Sequence, residues 1–195
     1  MKETTAKKKF MWNMAGSLCN SLSSMLLLII VNRISGESRG GFFALAYSTA
    51  QLLFSVGGFE IRPVQSTDIK NKFTFDQYFT SRMLNCIIML ICMIGYIVVN
   101  GYTGVEALTV FWILGYRMVE AVADVYSGLF QQRERIDISG KEMLMRSGIS
   151  TITFTIILWL TDNLLYAAMT LTLTSLVIML FYDLHMKKYF EPTPV

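Results

Sequence analysis

The sequence has 195 residues, of which 53% are hydrophobic and 16% are charged. A soluble domain usually has about a quarter charged residues, and the apolar residues here form runs long enough to cross a bilayer. An ordinary soluble domain is therefore excluded. A nucleic-acid partner is not expected either, because the net charge is only +3 and the basic residues form short clusters between apolar runs.

Six apolar runs predict six transmembrane helices. Helices are expected because a segment in lipid must satisfy its own backbone hydrogen bonds, and the runs lack the polar–apolar alternation of barrel strands. The predicted fold class is an all-α integral membrane bundle. Its domain covers residues 1–188, and residues 189–195 are predicted to be a disordered tail. The predicted spans are residues 10–31, 42–59, 83–100, 105–130, 142–160 and 164–184.

The connections between these spans differ in length. The first span follows three lysines, as a signal peptide would, but it is too long for one and is predicted to stay uncleaved. Residues 60–82 form the longest predicted loop, with a break at Pro63 and an amphipathic lead-in over residues 74–82. The other predicted connections are residues 32–41, 101–104, 131–141 and 161–163.

The basic residues predict the orientation in the membrane. If the N-terminus is cytoplasmic, 14 lysines and arginines fall on the cytoplasmic side and only Arg33 and Arg39 fall outside. Cytoplasmic segments of membrane proteins collect Lys and Arg. We therefore predict a multi-pass protein of the cell membrane with both termini in the cytoplasm.

The fourth span carries three charged residues, Arg117, Glu120 and Asp124. Spacings of three and four place them on one helical face. A charge at mid-membrane costs roughly 3 kcal/mol, and such residues often line a transport path. The three are therefore candidate cavity residues. The alternative is a neutralised Arg–Glu pair that only fixes packing.

The first two spans carry weaker polar stripes. Asn13 and Asn20 belong to the first stripe and Gln51 to the second. For each stripe alone, helix–helix packing is the better explanation. Together with the charged fourth span, they favour one shared polar cavity.

No motif indicates an enzyme or a metal site. Cys19, Cys86 and Cys92 lie in apolar segments without metal-ligand spacing, and His185 is the sole histidine. No phosphate-binding loop, nucleophile elbow or zinc-protease motif is present. No catalytic residue and no cofactor is therefore predicted.

Three segments carry a family resemblance. They are Trp12-Asn13 leading to Ala15-Gly16-Ser17, the stretch from Gly58 through Arg62, Gln65 and Asp68, and the stretch from Gly115-Tyr116-Arg117 to Gln131. In order and topology they resemble polysaccharide flippases of the Wzx type, which belong to the MATE-like exporters. Val64 departs from this pattern, which usually has an aromatic residue there.

The resemblance implies a function and a second half. Such proteins move undecaprenyl-pyrophosphate-linked oligosaccharide across the membrane and contain two six-helix halves around a cavity, with alternating access. The chain resembles the N-terminal half, so a second six-span half or a homodimer is an expected partner. Arg117 is then a candidate for contact with pyrophosphate or sugar, Arg33 and Arg39 lie at the outer mouth, and Arg62, Gln65 and Asp68 form a family-like loop motif.

Two other functions remain open from the sequence. One is ion-coupled efflux of drugs or solutes, in which Glu120 and Asp124 would carry the coupling ion. The other is a truncated, non-transporting remnant that only associates with partner membrane proteins.

Overall fold

The computed structural model describes residues 5–58 and 61–190, apart from the side chains of residues 56 and 57. Within these ranges the chain is helical with short connections and no strand. The end of the predicted second span at residue 59 and residues 191–195 of the predicted tail lie outside the described ranges. The helices are α1 (Ala6–Gly58), α2 (Ile61–Thr67), α3 (Phe75–Val99), α4 (Gly104–Gln132), α5 (Ile136–Thr161), α6 (Leu164–Ile178), a π-helical turn (Met179–Asp183) and α7 (Leu184–Lys187).

Helix α1 is folded into two antiparallel arms at Gly36. Gly36 has φ 84° and ψ 171°, a combination that only glycine adopts readily. The Tyr47 hydroxyl donates to Ser24 Oγ over 3.1 Å, so residues far along the two arms lie side by side. The predicted connection over residues 32–41 is therefore wrong in length, because one glycine reverses the chain and its neighbours remain helical.

Four helices are long and apolar enough to cross a membrane: Ala6–Ser55, Phe75–Val99, Ile136–Thr161 and Leu164–Lys187. The first of them comprises both arms of α1. Helix α4 is equally long but carries three mid-helix charges and falls outside this set. With the two arms counted separately, the described ranges contain six long helical segments, in loose agreement with the predicted six. The protein is a multi-pass membrane protein.

One helix forms inside a predicted loop, and two others begin in one. Within the predicted loop of residues 60–82, α2 forms and tolerates Pro63 because proline in a first helical turn removes no intrahelical bond. Helix α3 begins at Phe75, eight residues before the predicted span, because Thr74 and Gln77 form a capping box. Helix α5 begins at Ile136, inside the predicted loop of residues 131–141.

The bundle has two different ends. At one end lie the Gly36 reversal and the turns after α3 and α5, where Arg39 pairs with Asp162 and Phe42 contacts Tyr102. An apolar core fills this end, including Phe43, Val110, Ile113, Phe154 and Leu171. At the other end lie the start of α1, helix α2 and helix α7, and this end is rich in buried polar side chains. We call them the apolar end and the polar end.

Helices α1 and α5 touch through their backbones near the polar end. A Cβ atom added at Gly16 would lie 2.2 Å from the carbonyl oxygen of Gly140, and one added at Gly140 would lie 2.3 Å from the carbonyl oxygen of Trp12. Small residues permit this close approach of membrane helices. The crossing holds the first arm of α1 against the helix that carries Arg146.

Candidate functional site

A cavity of about 950 Å³ opens in the polar half of the bundle. Both arms of α1, helix α2, helix α4 and helix α5 contribute to its wall. The apolar core closes the space beyond Tyr47 toward the apolar end. The polar and charged lining residues are Asn20, Ser21, Ser24, Tyr47, Ser48, Gln51, Ser55, Arg62, Arg117, Glu120, Asp124 and Arg146.

The two predicted polar stripes meet in this cavity because the arms of α1 are antiparallel. Asn20 of the first arm and Gln51 of the second both line it. Two other candidates are not among its lining residues. Asn13 is half-buried at the α1–α5 crossing, where its backbone nitrogen packs against Gly140. Arg33 is exposed near the Gly36 reversal.

Arg117 and Glu120 form a buried ion pair on the cavity wall. One nitrogen of the Arg117 guanidinium donates to Glu120, and both side chains are about 95% buried. The guanidinium also lies over the Tyr47 ring, 4.6 Å from its centroid, and donates to Ser24 Oγ over 3.4 Å. Contacts from both arms of α1 and from helix α4 therefore fix the position of the Arg117 guanidinium.

Asp124 does not join that pair, although the spacing placed it on the same face. Its two carboxylate oxygens accept hydrogen bonds from Arg62 and from Arg82, each over 2.9 Å. Arg82 is fully buried and also donates to the Gly58 carbonyl over 3.1 Å. This arginine–aspartate–arginine cluster ties α2 and α3 to α4.

Sequence reasoning missed Arg82 and Arg146 as site residues: it placed Arg82 in the loop of residues 60–82 and counted Arg146, in the predicted fifth span, only as a basic residue of the cytoplasmic side. Arg146 Nε lies 2.9 Å from Glu142 Oε1, and Ser127 Oγ donates to the other Glu142 oxygen over 3.0 Å. All three side chains are buried. The available signal was a Glu and an Arg four residues apart at the start of the predicted fifth span, because this spacing forms ion pairs on a helix.

The family-like loop motif separates into three roles. Arg62 lines the cavity. Gln65 is fully buried, and its amide packs on Gly128, where a Cβ would lie 2.3 Å from the Gln65 side-chain oxygen. Asp68 lies outside the cavity and accepts the backbone amides of Lys72 and Phe73 over 2.8 and 3.0 Å. These amide hydrogen bonds lower the pKa of Asp68 below its ordinary value.

The lining chemistry favours an anionic and hydroxyl-rich ligand. Three arginines face the space, Arg62, Arg117 and Arg146, against two carboxylates, Glu120 and Asp124. Guanidinium groups bind phosphate oxygens in pairs, and the serine and amide side chains can hydrogen-bond sugar hydroxyls. In the described ranges, no group of three or more His, Cys, Asp or Glu residues is placed to hold a metal ion.

Comparison with protein families decides the relationship. Residues 6–195 match the family model described as "Polysaccharide biosynthesis protein". The chain belongs to this family. The match confirms the resemblance to polysaccharide flippases that the sequence motifs indicated, and it supports a polysaccharide-related membrane transporter. Neither the curated proteins nor the solved structures compared with the chain gave a match.

Proposed function

We propose that this family member is the N-terminal, six-span part of a flippase that moves undecaprenyl-pyrophosphate-linked oligosaccharide across the cell membrane. The observation that carries the proposal is the arginine-bearing cavity of about 950 Å³ inside a bundle of apolar helices. Cavities that bind drug-sized ligands have about 300–1,000 Å³. The space is therefore large enough for a pyrophosphate and the first sugars.

The ion pairs on the cavity wall are suited to reversible binding of an anionic ligand. Arg117 and Arg62 are paired with Glu120 and Asp124, which reduces the cost of exposing a lone cation to the membrane interior. A pyrophosphate offers the same bidentate geometry as a carboxylate but carries more negative charge. We expect it to share these arginines with their carboxylate partners.

The charge distribution supports a cytoplasmic opening. In the described ranges, and without Arg82 and Arg146, which are buried in helices, eleven basic residues lie on the side of the polar end against two at the apolar end. Under the positive-inside rule the polar end faces the cytoplasm, where lipid-linked oligosaccharides are made ready for export. The apolar core would then close the outer end in this conformation.

One side of the cavity supports a second six-span half or a homodimer as partner. Ser21, Ser48, Gln51 and Ser55 line the cavity and are exposed. Polar side chains that face lipid are unfavourable and usually face other helices or a water-filled path. A second bundle on this side would complete the wall, as in transporters built from two repeats.

A complementation assay tests the proposal. The chain is expressed, in its native gene context, in a strain that lacks its flippase, and surface polysaccharide is measured. Arg117→Gln combined with Glu120→Gln removes both charges and avoids leaving one buried charge alone. We expect loss of surface polysaccharide and accumulation of the lipid-linked intermediate in the inner leaflet at unchanged membrane levels.

Arg33→Gln is the matched control, because Arg33 is an exposed arginine outside the cavity lining. It should support parental levels of polysaccharide. If the double variant also does so, the cavity does not carry the substrate. If the parent chain itself restores nothing in its native context, the non-transporting alternative replaces the proposal.

Ion-coupled drug efflux through Glu120 and Asp124 has less support. Both carboxylates are already neutralised by arginines, Glu120 by Arg117 and Asp124 by Arg62 and Arg82. A carboxylate held in this way is a poor site for a second cation.

A further inference from the structure

Asp183 is a buried acid outside the cavity wall. It ends the π-helical turn after α6, is 0% exposed, and no hydrogen-bond donor in the described ranges reaches either of its carboxylate oxygens. The other acids buried in the bundle interior all have a partner, such as Arg135 for Asp137. π-Helical turns within α-helices often occur at functional sites.

The charged neighbours of Asp183 both lie on α5. They are Glu142 and Arg146, which are paired with each other. Helix α4, which also packs on this turn, contributes Ser127 as a donor to Glu142. Tyr182 precedes Asp183 on its own turn. Arg146 uses Nε for the Glu142 pair, while its buried Nη1 has no hydrogen-bond partner.

This neighbourhood has two acids and one cation. Ionised Glu142 already balances Arg146, so an ionised Asp183 would be an uncompensated charge at a position without solvent exposure. A buried carboxyl group in that position takes up a proton instead of paying the large cost of burying its charge. One proton makes the cluster of Glu142, Arg146 and Asp183 neutral.

We propose that Asp183 is a proton-binding site and that Arg146 links its protonation state to the cavity. Arg146 lines the cavity. It is also the cation among the charged neighbours of Asp183. When the proton leaves to water, the unpartnered Nη1 of Arg146 is the group available to the new carboxylate. The Glu142–Arg146 pair then loosens, and the charge presented to the cavity changes.

This inference deepens the proposed function, because it names the proton as the ion that is coupled to substrate movement. The coupling rests on the proposed function, but the proton site itself does not. The two parts are therefore tested by separate measurements on the full chain in lipid nanodiscs.

Infrared difference spectroscopy tests the proton site without any substrate. A protonated buried carboxyl group gives a C=O stretch that is absent from carboxylates. We expect this band at neutral pH in the parent and its loss in Asp183→Asn. Glu142→Gln should also lose it, because Asp183 is then left to balance the charge of Arg146 and ionises. Asp137→Asn is the matched control, because Asp137 is equally buried but paired with Arg135. Its band should equal that of the parent.

The proton site is overturned if the parent lacks the band or if Asp183→Asn retains it. Retention in Asp183→Asn with loss in Glu142→Gln would assign the proton to Glu142 instead. Size-exclusion profiles of the variants establish that the protein remains folded, and Asn is close to Asp in shape, so packing should be preserved.

Calorimetry tests the coupling with inorganic pyrophosphate as the probe. Titrations in two buffers of different ionisation enthalpy give the number of protons exchanged on binding. Pyrophosphate exchanges protons of its own on binding, so the number for the parent is compared with that for Asp183→Asn. We expect the two numbers to differ, and Asp137→Asn to give the parental number. Equal numbers in the parent and in Asp183→Asn overturn the coupling. Absence of pyrophosphate binding overturns both the coupling and the proposed ligand, and leaves the infrared result to decide the proton site.

Discussion

The cluster of Arg62, Asp124 and Arg82 allows a quantitative prediction. Asp124→Asn keeps the size of the side chain but removes the negative charge shared by two guanidinium groups. Arg82 is fully buried, whereas the Arg62 side chain is 24% exposed. Most of the lost stability should therefore come from the Arg82 contact. Water screens the Arg62 contact, which contributes much less to the free energy of unfolding.

The magnitude follows from the geometry. Each guanidinium nitrogen lies 2.9 Å from an Asp124 oxygen, and Coulomb's law with an effective dielectric constant of about 20 gives about 6 kcal/mol for such a contact. Desolvation of the charges offsets part of this attraction. Removing one partner of a buried pair costs about 3–5 kcal/mol, and we expect Asp124→Asn to lower the free energy of unfolding by that amount.

The assay is a double-mutant cycle in detergent micelles, with unfolding by SDS followed by circular dichroism. Arg82→Gln alone should also destabilise, and the combination with Asp124→Asn should lose less than the sum, with a coupling of roughly 1–3 kcal/mol. Asp76→Asn is the control, because Asp76 is an exposed acid on the same helix as Arg82. It should change stability by about 0.5 kcal/mol or less. Additive effects of Asp124 and Arg82, or a cost of Asp124→Asn under about 1 kcal/mol, would refute the reasoning.

Two further predictions concern packing and pH. Gly16→Ala should destabilise the bundle by about 1–3 kcal/mol, because its Cβ would meet backbone atoms that cannot rotate away. The control in the same SDS titration is Gly41→Ala, because no atom lies within 4 Å of a Cβ at that position. The lowered pKa of Asp68 means that its ionised form stabilises the loop after α2: this contribution is complete above the ordinary pKa and is lost as pH falls through the lowered one. Hydrogen exchange, corrected for intrinsic rates, should show the Lys72 and Phe73 amides protected at neutral pH, less protected in strong acid, and unprotected at neutral pH in Asp68→Asn. Equal protection in parent and variant would contradict the prediction.

Some of the site could be predicted because it depends on local spacing. The three-residue interval between Arg117 and Glu120 is enough to pair them on one helix, and the structure shows that pair. The stripes of Asn20 and Gln51 could be assigned to a common space only by assuming that the arms fold back on each other. Asn13 lies two helical turns before Asn20 on the same face. At the glycine crossing, however, its backbone packs against Gly140 of α5.

By itself the sequence determined the membrane class, the helical content and the family, because long apolar runs, short polar connections and motif order are properties of the linear chain. The tertiary structure decided which charges meet. Arg82 comes from α3 and Arg62 from α2, and both reach Asp124 on α4 through packing that no local spacing encodes. The same packing leaves Asp183 without a cation of its own. Ion pairs between distant segments depend on how helices are arranged in space, and the sequence alone does not specify that arrangement.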